Sequence, residues 1–158
     1  MFKSHGILQY DPKADASKYS AWWCKLDVHP SIVRYYQAWI ERTHGYAVNL
    51  PIWKSHVTVI RGETPTKPWN WKKYQGERIE FEYSTDLQSS PLYFWLPVVS
   101  PRLSEIRVEL GLKPQPRVNF HLTVGNLKNR IAERKEIKVP FRVFPWERPE
   151  IVDALWRK

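Results

Sequence analysis

Apolar residues recur along the chain with two different periods, and each period predicts one type of element. Apolar and aromatic residues between positions 32 and 39 follow the spacing of one helical face. This spacing predicts a helix over about Ser31–His44, which Gly45 ends. A second helix is predicted from Ser100, a hydroxyl residue suited to capping its start, to Gly111, with Pro101 at its first position.

Other segments are rich in β-branched and aromatic residues, or alternate apolar with charged ones, which is typical of strands. The predicted strands are Gly6–Tyr10, Ala21–Val28, Trp53–Ile60, Ile79–Tyr83, Leu92–Val99, Val118–Val124 and Val139–Phe144. The remaining segments are an extended loop over Arg61–Gly76, a basic segment Lys128–Lys138 and a C-terminal stretch Glu147–Lys158 with helical character. Because no linker or low-complexity tract divides the chain, we expect one domain over residues 1–158.

The composition fits a folded domain in a reducing compartment. Hydrophobic residues make up 42% of the chain, which is enough for a core and excludes wholesale disorder. No apolar run reaches about 18 residues, and no signal-peptide core follows Lys3, so we expect neither a membrane span nor secretion. The single cysteine, Cys24, excludes an internal disulfide framework and favours a cytoplasmic location.

Charge and aromatic content indicate the kind of partner. The chain has 25 Lys and Arg against 16 Asp and Glu, a formal net charge of +9, and it holds nine tryptophans. Such a balance favours an anionic partner, with phosphate as the first candidate. Aromatic faces stack on nucleobases while cations hold phosphates, although most aromatic residues are expected in the core.

The strongest pattern is a duplicated motif of proline, four residues and then His-apolar-Thr-Val, which starts at Pro51 and again at Pro116. A predicted helix that ends in glycine, at Gly45 or at Gly111, precedes each copy. The other three histidines lie in no such motif. The duplication therefore predicts two similar lobes, each of which contributes one equivalent strand.

The motif has a chemical meaning because residues i and i+2 of a strand point to one face, roughly 6.5–7 Å apart. His56 shares a face with Thr58, and His121 shares one with Thr123. Two imidazoles in one cleft suit acid–base catalysis near neutral pH, and two hydroxyls suit hydrogen bonding to a phosphate. Ordinary polar strand positions and a zinc site are the alternatives. Since no His-x-His, cysteine pair or His-x-x-Glu cluster accompanies the motifs, we expect no metal or cofactor.

With these motifs, the chain resembles the two-histidine (2H) phosphoesterase superfamily over roughly residues 21–124. The resemblance implies a bilobal α+β fold with two pseudo-symmetric β-sheet lobes, helices outside and a central cleft. It also implies metal-free acid–base catalysis on phosphodiesters or 2′,3′-cyclic phosphates. More narrowly, the His5-Gly-Ile-Leu opening and the basic, tryptophan-rich chain resemble phage anti-CBASS phosphodiesterases. Those enzymes degrade cyclic oligonucleotide signals, such as 3′,3′-cyclic GMP–AMP, in the cytoplasm of the bacterial host.

Carried over to this sequence, the resemblance makes His56 and His121 the acid–base pair, and Thr58 and Thr123 the phosphate contacts. One histidine deprotonates a ribose 2′-hydroxyl, which attacks the adjacent 3′–5′ phosphodiester, while the other protonates the leaving 5′-oxygen. Nearby cations for the developing charge are Lys54 and Arg117. The sequence does not say which histidine is the base.

Recognition of the bases is assigned to aromatic residues in loops or near the C-terminus: Tyr10, Trp69, Trp71 and Trp156. Glu150 is a candidate acceptor for a guanine edge, since an ionised carboxylate only accepts hydrogen bonds. For each aromatic, packing in the core or at its rim is the alternative, and for Glu150 it is a solvated helix position.

Three other functions remain open. An RNA-end or 2′,3′-cyclic phosphate phosphodiesterase of the same superfamily would suit the positive charge. A non-catalytic nucleic-acid-binding module would use the Trp and Lys residues and leave the His-Thr pairs incidental. A protein that sequesters cyclic nucleotides without cutting them is the third.

Overall fold

The structure, a computed structural model, describes residues 1–12, 21–45, 47–51 and 53–128. These residues form seven strands and two helices. In chain order they are β1 (Phe2–Tyr10), β2 (Trp23–Val28), α1 (Ser31–His44), β3 (His56–Arg61), β4 (Arg78–Tyr83), β5 (Gln88–Ser89), β6 (Tyr93–Val99), α2 (Pro101–Glu109) and β7 (His121–Asn126). The predicted strand Val139–Phe144, the basic segment after Lys128 and the stretch Glu147–Lys158 lie outside the described residues.

The helix over Ser31–His44 has the predicted bounds, and its C-terminal Gly45 adopts the left-handed conformation with φ 70°. The sequence predicted that the Ser100 side chain caps α2, but it does not. Its buried hydroxyl instead donates to the carbonyl of Glu80 at 2.9 Å and ties the start of α2 to β4. The extended loop over Arg61–Gly76 contains a single short 3₁₀ turn, Pro68–Asn70.

The two strands that carry the motifs each begin three residues later than predicted. The strand predicted from Trp53 begins at His56, because Lys54 adopts the left-handed conformation with φ 63° and breaks the extended chain. The strand predicted from Val118 begins at His121. In both places the histidine of the motif is therefore the first residue of its strand.

All strand pairs among the described residues are antiparallel, and six of the strands close into a ring. The order is β4-β1-β2-β3-β7-β6, a further pairing joins β4 to β6, and β5 continues the sheet beyond β6. The predicted α+β class is confirmed. None of the described helices is long and apolar enough to span a membrane.

The ring contains a repeated strand–helix–strand unit: β2-α1-β3 in the first half and β6-α2-β7 in the second. The two units pair their strands in the same register. Matched pairs are Asp27↔His56 with Pro97↔His121, Leu26↔Val57 with Leu96↔Leu122, Lys25↔Thr58 with Trp95↔Thr123, and Trp23↔Arg61 with Tyr93↔Asn126. Each register shifts directly after the threonine, so Val59 and Val124 form equivalent β-bulges. The sequence repeat is therefore also a repeat of backbone geometry.

One continuous core fills the apolar side of the sheet. Val57 and Leu122, the residues between histidine and threonine in each motif, are fully buried there. Each helix packs against the motif strand of the other unit, α1 on β7 and α2 on β3. This crossed packing couples the two halves through the strands that carry the motifs.

Candidate active site

The two motifs lie on neighbouring strands, because Val57 of β3 pairs with Leu122 of β7. Continued by one residue in each direction, this antiparallel register sets His56 opposite Thr123 and Thr58 opposite His121. Side chains directly opposite each other have Cβ atoms about 4.5–5.5 Å apart. All four side chains line one cavity of about 660 Å³. The structure thus brings together the four residues that the sequence singled out for chemistry.

Equivalent hydrogen bonds orient the two imidazoles. His56 Nδ1 lies 3.1 Å from the carbonyl oxygen of Lys54, and His121 Nδ1 lies 2.8 Å from that of Asn119. Since a carbonyl oxygen only accepts, each Nδ1 carries the proton and donates it. In the neutral form, Nε2 of each ring is left as the basic nitrogen. Both histidines therefore have the same tautomer and the same kind of support.

Burial lowers the pKa of His56, and the neighbouring cations Lys25 and Arg61 lower it further. The Lys54 carbonyl and the Asp27 carboxylate act in the opposite direction without cancelling the effect. His56 is consequently neutral at neutral pH, the state that a general base requires.

The two motifs have different neighbours on their outer sides. On β2, the residues opposite the first motif are Lys25 and Asp27, and the largely buried Lys25 ammonium donates to Asp27 Oδ1 at 2.6 Å. On β6, the residues opposite the second motif are Trp95 and Pro97, which carry no charge. The site is therefore symmetric in its motifs and asymmetric in its electrostatics.

Each helix also holds the bulge of the opposite motif strand by a side-chain hydrogen bond. Gln37 of α1 donates from Nε2 to the carbonyl of Val124 at 2.7 Å. Arg107 of α2 donates from Nη1 to the carbonyl of Val59 at 2.7 Å. The extra residue of a bulge leaves its backbone group outside the regular ladder, and these side chains satisfy it.

Arg107 has further partners and is fully buried. It forms a bidentate ion pair with Glu63, with both N–O distances at 2.8 Å, and it donates to the carbonyls of Lys113 and Gln115. All five N–H groups of the guanidinium are thereby used. Arg107 connects the end of β3 to the loop that precedes the second motif, so it fixes two walls of the cavity relative to each other.

The lining of the cavity follows the repeat. Five pairs of equivalent positions contribute to it: Pro51 and Pro116, Trp53 and Val118, His56 and His121, Thr58 and Thr123, Arg61 and Asn126. The predicted cation Arg117 also lines the cavity, with Glu63, Tyr93 and Lys128. Lys54, the other predicted cation, instead supplies the carbonyl that holds His56.

Trp53, Arg61 and Tyr93 are site residues that the sequence reasoning missed. The Trp53 ring packs edge-on against Trp23 with centroids 5.1 Å apart, and the Arg61 guanidinium lies 5.4 Å from the Trp23 centroid. Lys128 Nζ lies 5.3 Å from the Tyr93 centroid. Trp53 lies within the first motif and Arg61 follows it by two residues, and that proximity was the available signal.

The aromatic residues predicted to bind bases are placed elsewhere. Tyr10 is buried beside a second cavity of about 1060 Å³, whose walls share Pro51 and Trp53 with the first. Trp71 packs edge-on against Tyr10, and its indole N–H donates to Asp11. Trp69 is 76% exposed on the 3₁₀ turn. None of these three residues, all of which the structure describes, lines the cavity that holds the two histidines. Glu150 and Trp156 lie outside the described residues.

No group of three or more His, Cys, Asp or Glu residues in the described ranges could hold a metal ion.

The comparisons with known proteins found little similarity. No family model matches the sequence, and no solved structure matches it. A segment of 84 residues is 34% identical to Protein O-mannosyl-transferase 2 of Danio rerio, which involves 44% of this chain. The match spans 11% of that protein's length, too little to show a family.

Proposed function

We propose that the protein is a metal-independent phosphodiesterase that hydrolyses 3′–5′ bonds of cyclic di- and oligonucleotides, such as 3′,3′-cyclic GMP–AMP. One observation carries the proposal. The pairing of Val57 with Leu122 sets two His-Thr pairs on one face, and each imidazole is tethered through Nδ1 to a carbonyl. Two basic nitrogens and two hydroxyl donors on one cavity wall are the groups that acid–base cleavage of a phosphodiester needs.

The surroundings of His56 support a role for it as the general base, which leaves the role of general acid to His121. His56, which its surroundings keep neutral, takes the proton of a ribose 2′-hydroxyl through Nε2. The 2′-oxygen forms a bond to phosphorus, the bond from phosphorus to the leaving 5′-oxygen breaks, and His121 gives that oxygen a proton. The product carries a 2′,3′-cyclic phosphate, which a water molecule opens in a second acid–base step.

Charge that develops on the phosphoryl oxygens is met by donors already in place. Thr58 and Thr123 line the cavity beside the histidines, and Arg61 and Arg117 add positive charge to the same walls. The repeated unit supports the two-lobed arrangement of 2H phosphoesterases, with the cleft where β3 meets β7. In a bacterial cell, removal of cyclic oligonucleotides would counter CBASS immunity against phage.

The direct test is hydrolysis of 3′,3′-cyclic GMP–AMP in the presence of excess chelator, followed by chromatography. We expect linear products with the chelator present, and none from an analogue that lacks the 2′-hydroxyl next to each scissile bond. Efficient cleavage of that analogue would rule out the 2′-oxygen as nucleophile. Salt-sensitive binding of polynucleotides without any hydrolysis would favour a nucleic-acid-binding module instead.

A panel of substrates separates the proposed function from processing of RNA ends. Cyclic dinucleotides should be cleaved faster than a short linear RNA that ends in a 2′,3′-cyclic phosphate. The opposite order would assign the chain to RNA-end processing with the same catalytic groups.

A further inference from the structure

The cavity is built from equivalent positions of the two repeated units, and it departs from that equivalence at a few of them. We propose that it consists of two nucleoside half-sites around one phosphate position. The residues that differ between the half-sites then decide which phosphodiester bond of a mixed cyclic dinucleotide is cut. This inference rests on the proposed function and adds the orientation of the substrate to it.

The half-sites are defined by the register of the two units. Half-site A consists of Trp53 and Arg61, which line the cavity and both lie against the buried Trp23. Arg61 pairs with Trp23 across β3 and β2, and Trp53 packs edge-on against the Trp23 ring. Half-site B holds the equivalent residues Val118 and Asn126, together with Tyr93, which is equivalent to Trp23 and itself lines the cavity. Asn126 pairs with Tyr93 across β7 and β6. Each half-site thus sets an aromatic ring beside a polar side chain at the far end of a motif strand.

The approximate two-fold axis that exchanges the units passes between the paired residues Val57 and Leu122. A phosphate on this axis is reached equally by the histidine and the threonine of each motif. In a cyclic dinucleotide, each phosphate is joined to one nucleoside through O3′ and to the other through O5′. With either phosphate on the axis, one nucleoside therefore extends toward each half-site.

The two half-sites offer different chemistry to a base. Half-site A presents an indole and the guanidinium of Arg61, which only donates hydrogen bonds. Half-site B presents the smaller apolar side chain of Val118, together with Tyr93 and the amide of Asn126. Oδ1 of that amide already accepts from the backbone N–H of Lys128 at 3.3 Å. A cyclic dinucleotide with two unlike nucleobases can bind in two arrangements, which exchange the nucleobases between the half-sites. These two arrangements will therefore differ in binding free energy.

The arrangement determines the product because one histidine is the base and the other is the acid. The nucleoside next to the general-base histidine supplies the 2′-hydroxyl, so the phosphodiester bond on the 3′ side of that nucleoside is cut. Exchange of the two nucleosides between the half-sites puts the other phosphate on the axis and cuts the other bond. Cyclic GMP–AMP then yields one of two linear dinucleotides, which differ only in the order of their bases.

The experiment is to measure the ratio of these two linear products by chromatography and fragmentation mass spectrometry. For the wild-type chain we expect one product in at least about tenfold excess, equivalent to ~1.4 kcal/mol between the two arrangements. In the double variant Trp53→Val and Arg61→Asn, half-site A carries the residues of half-site B at both positions. We expect its ratio to fall at least several-fold toward unity.

Two controls accompany the measurement of the product ratio. Arg78→Asn removes the same charge from an exposed position on β4, outside the cavity lining, and should keep the wild-type ratio. A symmetric substrate, cyclic di-AMP, gives a single product in every variant and so reports the rate alone. Circular dichroism verifies that each variant is folded.

The outcomes separate this inference from the proposed function. Absence of all hydrolysis by the wild-type chain would overturn both. Hydrolysis with equal amounts of the two products, or an unchanged ratio in the double variant, would overturn the half-sites and leave the phosphodiesterase in place.

Discussion

The two repeated units pair their strands in the same register, yet they surround the two motifs with different side chains. Both pair their strands in one register and both form a bulge directly after the threonine. The first unit sets the ion pair of Lys25 and Asp27 beside its motif, and the second sets Trp95 and Pro97 there. The shared register brings the two histidines together, and the neighbours of the first motif lie beside His56, whose pKa burial and the nearby cations lower. The repeat thus accounts for the shared geometry of the site, and the differing side chains account for its unequal electrostatic surroundings.

The same contrast holds for the groups that fix the motif strands. Gln37 holds the bulge of β7 by one hydrogen bond, whereas Arg107 holds the bulge of β3 and also pairs with Glu63. These residues occupy equivalent positions on the two helices. The second unit therefore contributes the stronger tether to the first unit's motif strand.

The largest expected effect comes from removing either imidazole. His56→Ala and His121→Ala should each lower kcat by about 10²–10⁴-fold, because each removes one partner of the proposed acid–base pair. The measurement is the rate of hydrolysis of 3′,3′-cyclic GMP–AMP by each folded variant. His5→Ala, which changes an exposed histidine outside the motifs, is the matched control and should keep the wild-type rate. A His56→Ala variant with nearly full activity would contradict the assignment.

The next effect is on stability and comes from Arg107. Arg107→Met should lower the free energy of unfolding by about 3 kcal/mol, since it leaves Glu63 and the Val59 carbonyl without their donor. Glu63 is partly exposed, which keeps the loss toward the lower end for such pairs. Urea denaturation followed by tryptophan fluorescence measures it. A loss below about 1 kcal/mol would show that other groups hold this part of β3.

The equivalent change in the first unit should have a smaller effect. Gln37→Leu removes one hydrogen bond to the Val124 carbonyl, and we expect a loss of about 1 kcal/mol in the same denaturation experiment. The comparison depends on the order of the two losses, because Arg107 has five donors in use and Gln37 has one described bond. If Gln37→Leu proved the more destabilising change, the contrast between the tethers would be wrong.

The elements and the duplicated motif could be predicted from the sequence, because both depend on local patterns. The bulges and the closure of the ring by β4 and β6 depend on pairings between distant segments, which a single sequence does not show. Aromatic residues illustrate the same limit. Tyr10, at the end of β1, and Trp71, in the predicted loop, were expected to bind bases but pack against each other. Trp53 was predicted to lie in a strand, but it precedes the left-handed turn at Lys54 and lines the cavity. Composition gives the number of such residues but not which of them line the cavity.

The smallest predicted effect concerns pH and tests the electrostatic difference between the units directly. Since the pKa of His56 is lowered, kcat/KM should be at its plateau near neutral pH and fall on the acid side with a midpoint below 6.5. The free energy of unfolding should depend on pH in the same direction. Because the folded state takes up the proton on His56 less readily than the unfolded chain, this contribution to stability is full above pH 6.5 and declines as the pH falls below it.

Lys25→Met removes a cation that lowers the pKa of His56 and leaves Asp27 unpaired, so the acid limb of the kcat/KM profile should move upward by a fraction of a pH unit. Trp95→Phe, at the equivalent position of the second unit, leaves the charge unchanged and should leave the limb where it is. An acid limb that moves equally in both variants, or in neither, would mean that the ion pair beside the first motif does not set the protonation of His56.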